Sequence, residues 1–384
     1  VIPYGRQDIS EEDVDAVVQV LRSDFLTQGP CVPKFEAAVA EYCSVRHAVA
    51  VNSATSALHI ACLALGLQQG DILWTSPITF VASANAGLYC GAEVDFVDID
   101  PVTCNMSVSA LKIKLIQAAA ENRLPKIVVP VHLSGLSADM AAIAALGREY
   151  GFRIIEDASH AIGGTYGDHP VGSCQYSAIT VFSFHPVKII TSGEGGMALT
   201  NDAGLAHRMQ LLRSHGITRD EAFYEGPNEG PWYYQQLELG FNYRMTDICA
   251  ALGLSQMSRL DAFVTARARL AARYDDLLQS TGLILQGRSS AASSAHHLYV
   301  VRLPPHLEAS HLSIFHALRG AKIGVNLHYI PVYKHPHYRK LKSDWGVFPQ
   351  SESYYRSAIS LPLFATLTMQ DQDTVVAALK RLVD

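Results

Sequence analysis

Between Ala48 and Thr200 short apolar runs alternate with helix-length segments, and this alternation restricts the fold more than any other feature. The runs Ala48–Val51, Ile72–Ser76, Val94–Val97, Ile127–His132, Arg153–Asp157, Ala178–Phe184 and Met197–Thr200 read as buried strands. Helical stretches such as Ala57–Leu65, stopped by Gly66, and Met140–Tyr150 lie between most of them. Strands spaced in this way predict an α/β fold, a mostly parallel sheet of about seven strands with helices on both faces. Upstream, Ser10 caps a predicted helix with Asp13 at its third position and Val14, Val17, Val18 and Leu21 along one stripe. A turn-rich loop, Phe25–Pro30, then opens a second helix through Phe35 and Val39.

Beyond Asn242 the pattern changes. Thr246–Leu278 predicts one long helix, and Leu298–Leu303 and Ile323–His328 predict strands of a smaller α/β domain closed by a helix from Met369 to Leu382. A chain of 384 residues is too long for one ordinary core. The expected division is a large domain over 1–245, then a bridging helix and small C-terminal domain over 246–384. The formal charge of −6 offers no basic footprint for nucleic acid. No apolar run nears the ~20 residues a membrane span needs, and Val1–Asp8 does not read as a signal peptide. Seven scattered cysteines without a CxxC pair suit reduced thiols in a cytoplasm better than disulfides or zinc.

The chemistry gathers at strand ends. Ser183-Phe184-His185-Pro186-Val187-Lys188, followed by Gly193-Glu194-Gly195-Gly196, leaves the run Ala178–Phe182 as a turn and a glycine-rich stretch. Ligands of open α/β sheets bind beyond the carboxyl ends of strands. A desolvated lysine there can form a Schiff base with an aldehyde, whereas a solvated loop lysine does nothing. Asp157 also stands at a strand end, where a buried carboxylate needs a cation, such as a pyridinium nitrogen, or serves as a simple cap. His160, three residues on, reaches another edge of the same ligand; as half of a metal site it lacks a second ligand pair, so no metal is expected.

Ser53-Ala54-Thr55-Ser56 turns from strand into helix, where free N–H groups favour a phosphate and where plain capping is the ordinary role. Ser183, five residues before Lys188, is a second candidate phosphate donor. Phe80 either stacks on an aromatic ring or belongs to the core. His328, His335 and His337 invite a metal reading, but the intervening prolines point to a surface loop.

These strings, together with Leu26-Thr27-Gln28-Gly29-Pro30, Asn52–Leu58, Thr79-Phe80, Glu156–His160 and Gly240-Phe241-Asn242-Tyr243-Arg244, resemble the pyridoxal-phosphate-dependent nucleotide-sugar aminotransferases of the DegT/DnrJ/EryC/StrS group. The resemblance runs nearly the whole chain and implies a fold-type I enzyme. It implies Lys188 as the Schiff-base lysine and proton carrier, Asp157 on the pyridine nitrogen, His160 near the ring's phenolic oxygen and Phe80 against the ring. It places Ala54, Thr55 and Ser183 on the cofactor phosphate, joined by Asn242 from a neighbouring subunit, and hence implies a homodimer with shared sites. Ala54 stands where glycine is frequent, which leaves backbone donation intact. Some members carry His in place of the lysine and catalyse deoxygenation; Lys188 argues against that branch.

The string Ile2–Gln7, the Asn-Ser-Ala-Thr-Ser turn and the Ser159-His160 pair resemble the pseudaminic-acid-pathway branch. That branch aminates C4 of a UDP-linked 4-keto-6-deoxy-N-acetyl hexose with L-glutamate as donor. Tyr4, Thr27, Arg244, His328 and Tyr329 are the implied substrate contacts. A different dTDP-, GDP- or UDP-linked keto sugar, or a non-catalytic ligand sensor on the same fold, is the alternative.

Overall fold

A computed structural model describes residues 1–383. All seven expected strands join one sheet: β1 (His47–Val51), β2 (Ile72–Thr75), β3 (Glu93–Phe96), β4 (Ile127–Val129), β5 (Arg153–Asp157), β6 (Ile179–Ser183) and β7 (Gly196–Thr200). Their spatial order is β1-β7-β6-β5-β4-β2-β3. Only β7 runs against its neighbours; the other pairs are parallel. The reason lies in the connection. A parallel return needs a helical crossover, but residues 184–195 between β6 and β7 hold no helix, so the chain doubles back. That doubling-back loop carries Lys188.

Side chains alternate faces along the buried strands. Val181 and Ala198 enter one core with Leu58, Phe96 and Met209, while Phe182, Met197 and Leu199 enter the opposite one with Phe35 and Leu260. The helices α1 (Glu11–Leu21), α2 (Cys31–Tyr42), α3 (Ala54–Ala64), α4 (Ala82–Tyr89), α5 (Val108–Ala120), α6 (Met140–Tyr150) and α7 (Ala203–Arg213) accompany this sheet. The expected cap of α1 is a full capping box, with Ser10 and Asp13 exchanging bonds.

Two local expectations fail. Thr246–Leu278 is not one helix but two, α8 (Asp247–Met257) and α9 (Leu260–Leu278). At the break Ser258 Oγ donates to Ser255 O at 2.7 Å, and Arg259 turns to Asp8 and Asp13. The ion pairs to the N-terminal segment thus anchor the chain at the break between the two helices. Ile323–His328 is not a strand either. Gly324 N–H donates to Ile2 O, and single bridges tie Ile323 to Ile2 and Asn326 to Ser360. One partner residue on each side cannot extend a ladder.

The C-terminal part contains an antiparallel sheet of β8 (Ile284–Leu285), β9 (Tyr299–Arg302) and β10 (Ala358–Leu361). Its core joins Tyr274 of α9, Val301, Leu318, Ile359 and Leu379, and Ile2 packs against it. No helix among the described residues is long and apolar enough to cross a membrane.

Candidate active site

The register of the sheet builds the site. Asp157 closes β5 and Ser183 closes β6, and the two strands are parallel, so both residues end on the same edge. β1 ends on that edge too, because Val51 pairs with Gly196, which itself opposes Ser183. Beyond this edge lies a cavity of about 700 Å³. Tyr4, Ala54, Thr55, Phe80, Asp157, His160, Ser183, Lys188, His328 and Tyr329 line it, so ten of the residues singled out in the sequence converge there.

Three do not. Thr27, Asn242 and Arg244 lie outside this cavity, with Thr27 and Asn242 exposed. They form one strip, because Thr27 bridges Thr246 and Arg244 bridges Val51. Phe80 is not core: it is 58% exposed on the cavity wall, tilted against Tyr329 at 6.2 Å between ring centroids. His328 is not on a surface loop but buried in the wall, apart from the exposed His337.

The turn into α3 offers free N–H groups to an anion. Ser53 caps the helix by accepting from Ser56 N–H at 3.1 Å, leaving the first-turn N–H groups of Ala54 and Thr55 without intrahelical acceptors. A Cβ on Gly196 would sit 2.4 Å from Ala54 N, so β7 passes this close only because position 196 is glycine.

Asp157 accepts from Ser83 Oγ at 2.6 Å, from Ser159 Oγ at 2.6 Å and from Ser159 N–H at 3.2 Å. All three donors are uncharged, and Asp157 forms no ion pair among the described residues. A buried carboxylate without a cation is costly. Opposite it, burial lowers the Lys188 pKa to about 8, Asp157 pulling the other way.

His160 and His328, both near Lys188, are held in defined neutral tautomers. Ser134 N–H donates to His160 Nδ1 at 3.3 Å, so the proton of His160 is on Nε2 and is donated to Tyr329 Oη at 3.1 Å. Asn326 Oδ1 accepts from Leu327 N–H, which turns its Nδ2 toward His328 Nε2 and puts the His328 proton on Nδ1, toward Ser360 Oγ at 2.8 Å. Burial, and then Lys188, lowers the His328 pKa to about 4; burial, Lys188 and His328 push His160 well below the ordinary range. Ser83 and His297 were not found by sequence reasoning, and Thr79 entered it only within the string Thr79-Phe80, without a role. Ser159 had a signal, since a serine two residues after a strand-end aspartate suits a local turn bond; Ser83 had none.

The set fits pyridoxal phosphate. An N-terminal helical turn is open to a phosphate, an uncompensated carboxylate awaits a cationic ring nitrogen, and a lysine of lowered basicity faces both. Fold and cavity together define a pyridoxal-phosphate-dependent aminotransferase of fold type I. The chain belongs to the DegT/DnrJ/EryC1/StrS aminotransferase family, whose profile matches residues 7–380.

Among relatives, a Campylobacter jejuni protein named UDP-4-amino-4,6-dideoxy-N-acetyl-beta-L-altrosamine transaminase is 34% identical, covering 99% of this chain and 98% of its own. The spore coat polysaccharide biosynthesis protein SpsC of Bacillus subtilis is 37% identical, covering 100% and 97%. Among solved structures, Helicobacter pylori PseC, an aminotransferase of pseudaminic acid biosynthesis, superposes with a TM-score of 0.92 at 30% identity, covering 100% and 99%.

Proposed function

We propose that the chain transfers the amino group of L-glutamate to C4 of a UDP-linked 4-keto-6-deoxy-N-acetyl hexose, as in pseudaminic acid biosynthesis. The observation that carries this reading is the end-to-end likeness to the altrosamine transaminase, over 99% of this chain. Pyridoxal phosphate, when bound, supplies an electron sink and carries nitrogen from donor to acceptor. Ala54 and Thr55 N–H groups, with the hydroxyls of Thr55 and Ser183, would hold its phosphate. Asp157 would hold the protonated ring nitrogen, and Phe80 and His160, which line the same cavity, would contact the ring and its phenolic oxygen.

Lys188 Nζ acts as base and then acid, taking a proton from the donor's α-carbon and later delivering one to C4 of the sugar. A pKa of about 8 supports this, because an amine near neutrality can both accept and release a proton. Tyr4, His328 and Tyr329 contact the sugar.

The chain works as a homodimer in which Thr27, Asn242 and Arg244 of one copy complete the cavity of the other. Their place outside their own cavity, with Thr27 and Asn242 exposed, supports this arrangement. Only one lining residue, Lys188, is a lysine or arginine, whereas a nucleotide diphosphate calls for more positive charge. The seven cysteines are all unpaired, which supports a cytoplasmic location.

Absorbance spectroscopy tests the chemistry. L-glutamate should remove the visible band of the bound cofactor, and only a UDP-linked 4-keto sugar should restore it. Restoration by dTDP- or GDP-linked sugars alone would overturn the substrate. For the shared site, Lys188→Ala mixed with Asn242→Ala should regain activity that neither has alone; no recovery after verified subunit exchange would overturn it.

A further inference from the structure

We propose that Thr79 and Ser83 are positioning residues that fix the carboxylate of Asp157 through a one-way hydrogen-bond relay. The inference rests on the reading of Asp157 as the partner of the cofactor's ring nitrogen. Thr79, Ser83 and Asp157 are 2%, 0% and 5% exposed, so water does not compete for their bonds. Ser83 Oγ lies 2.6 Å from Asp157 Oδ2, and Thr79 Oγ1 lies 2.7 Å from Ser83 Oγ.

The direction follows from chemistry. A carboxylate only accepts, so the single hydroxyl hydrogen of Ser83 goes to Asp157, and Thr79 must donate to Ser83. The competing acceptor for Ser83, Phe80 O, is 3.4 Å away and loses to the shorter, charge-assisted bond. Ser159 holds the other oxygen, Oδ1, through its hydroxyl and its N–H. With Oδ2 fixed by Ser83 and Oδ1 taken twice by Ser159, the carboxylate cannot rotate, and one acceptor position, on Oδ2, is left on a residue that lines the cavity.

The relay also links two walls of the site. Thr79 and Ser83 flank Phe80, on the turn that opens α4, so the residue meant for the ring's face and the residue meant for its nitrogen share one support. In metal sites, removing a group that orients a ligand costs about 10- to 100-fold in affinity or activity, and the same logic applies to an oriented carboxylate.

The test compares Ser83→Ala, Thr79→Val, Thr79→Ser and Asp157→Asn, each checked for an unchanged melting profile. Affinity of the apoprotein for pyridoxal phosphate and the pH dependence of the bound cofactor's absorbance are measured for each. Loss of one charge-assisted bond predicts about a tenfold weaker affinity for Ser83→Ala, and about twofold to threefold for Thr79→Val. Both should shift the pH profile, and Thr79→Ser should restore it. If Asp157→Asn is impaired while Ser83→Ala and Thr79→Val match the parent, the relay is overturned and the role of Asp157 stands. If Asp157→Asn also matches the parent, both are overturned.

Discussion

Tyr329 accepts the Nε2–H of His160 at 3.1 Å, and its own hydroxyl hydrogen meets no acceptor among the described residues. Because a backbone N–H fixes the tautomer of His160, the direction of this bond is fixed as well. Tyr329 lines the cavity, so this hydrogen is available to a ligand there. Burial, and then Asp157 and Tyr4, raise the Tyr329 pKa, so the hydroxyl remains a donor at every working pH. Such a donor suits a carbonyl oxygen.

Tyr329→Phe should raise KM for the keto sugar about tenfold, the worth of one buried hydrogen bond, and leave cofactor affinity unchanged. Steady-state kinetics and cofactor titration check this. Weakened cofactor binding with an unaltered KM would assign the hydroxyl to the cofactor instead.

Lys188 gives the apoprotein a distinctive pH response. Its folded pKa of about 8 lies below the unfolded value of about 10.4. Between those values the unfolded chain binds more protons, so the contribution of this group to stability rises with pH across that window. Urea unfolding of the apoprotein at pH 7.5 and 10 should show the rise, and Lys188→Met should abolish it.

Glu156 predicts the opposite edge of the pH range. Burial pushes its carboxyl up, but His132 Nε2 at 2.8 Å, Ser177 Oγ at 2.5 Å and Thr180 Oγ1 at 3.1 Å donate to it, and the net pKa is lowered. Its stabilisation is present above the unfolded pKa of about 4.3 and is lost as pH falls through the lower folded value. Glu156→Gln should cost on the order of 2 kcal/mol at neutral pH and flatten the acid limb of an unfolding titration.

Gly196→Ala would place a Cβ 2.4 Å from both Ala54 N and Ser53 C. The main chain must move, so a cost of about 2 kcal/mol and at least a tenfold weaker cofactor affinity are expected. Gly320→Ala, where a Cβ meets nothing within 4 Å, should be harmless by both measures.

What the sequence determined by itself is local. The seven strands, the Ser10–Asp13 capping box and the strand-end positions of Asp157 and Ser183 follow from periodicity and from neighbours a few residues apart. Lys188 was legible because its whole loop is one continuous string. Tertiary structure decided what depends on distant partners: the reversal of β7, the break at Ser258 and the loop that carries His328 and Tyr329 into the cavity. Ser83 meets Asp157 across 74 positions and His160 meets Tyr329 across 169. Thr27 and Arg244 share a strip outside their own cavity for the same reason. Local pattern sets which residues form a strand or cap. Which side chains meet in a buried site depends on how those elements pack, and no short window of sequence contains that.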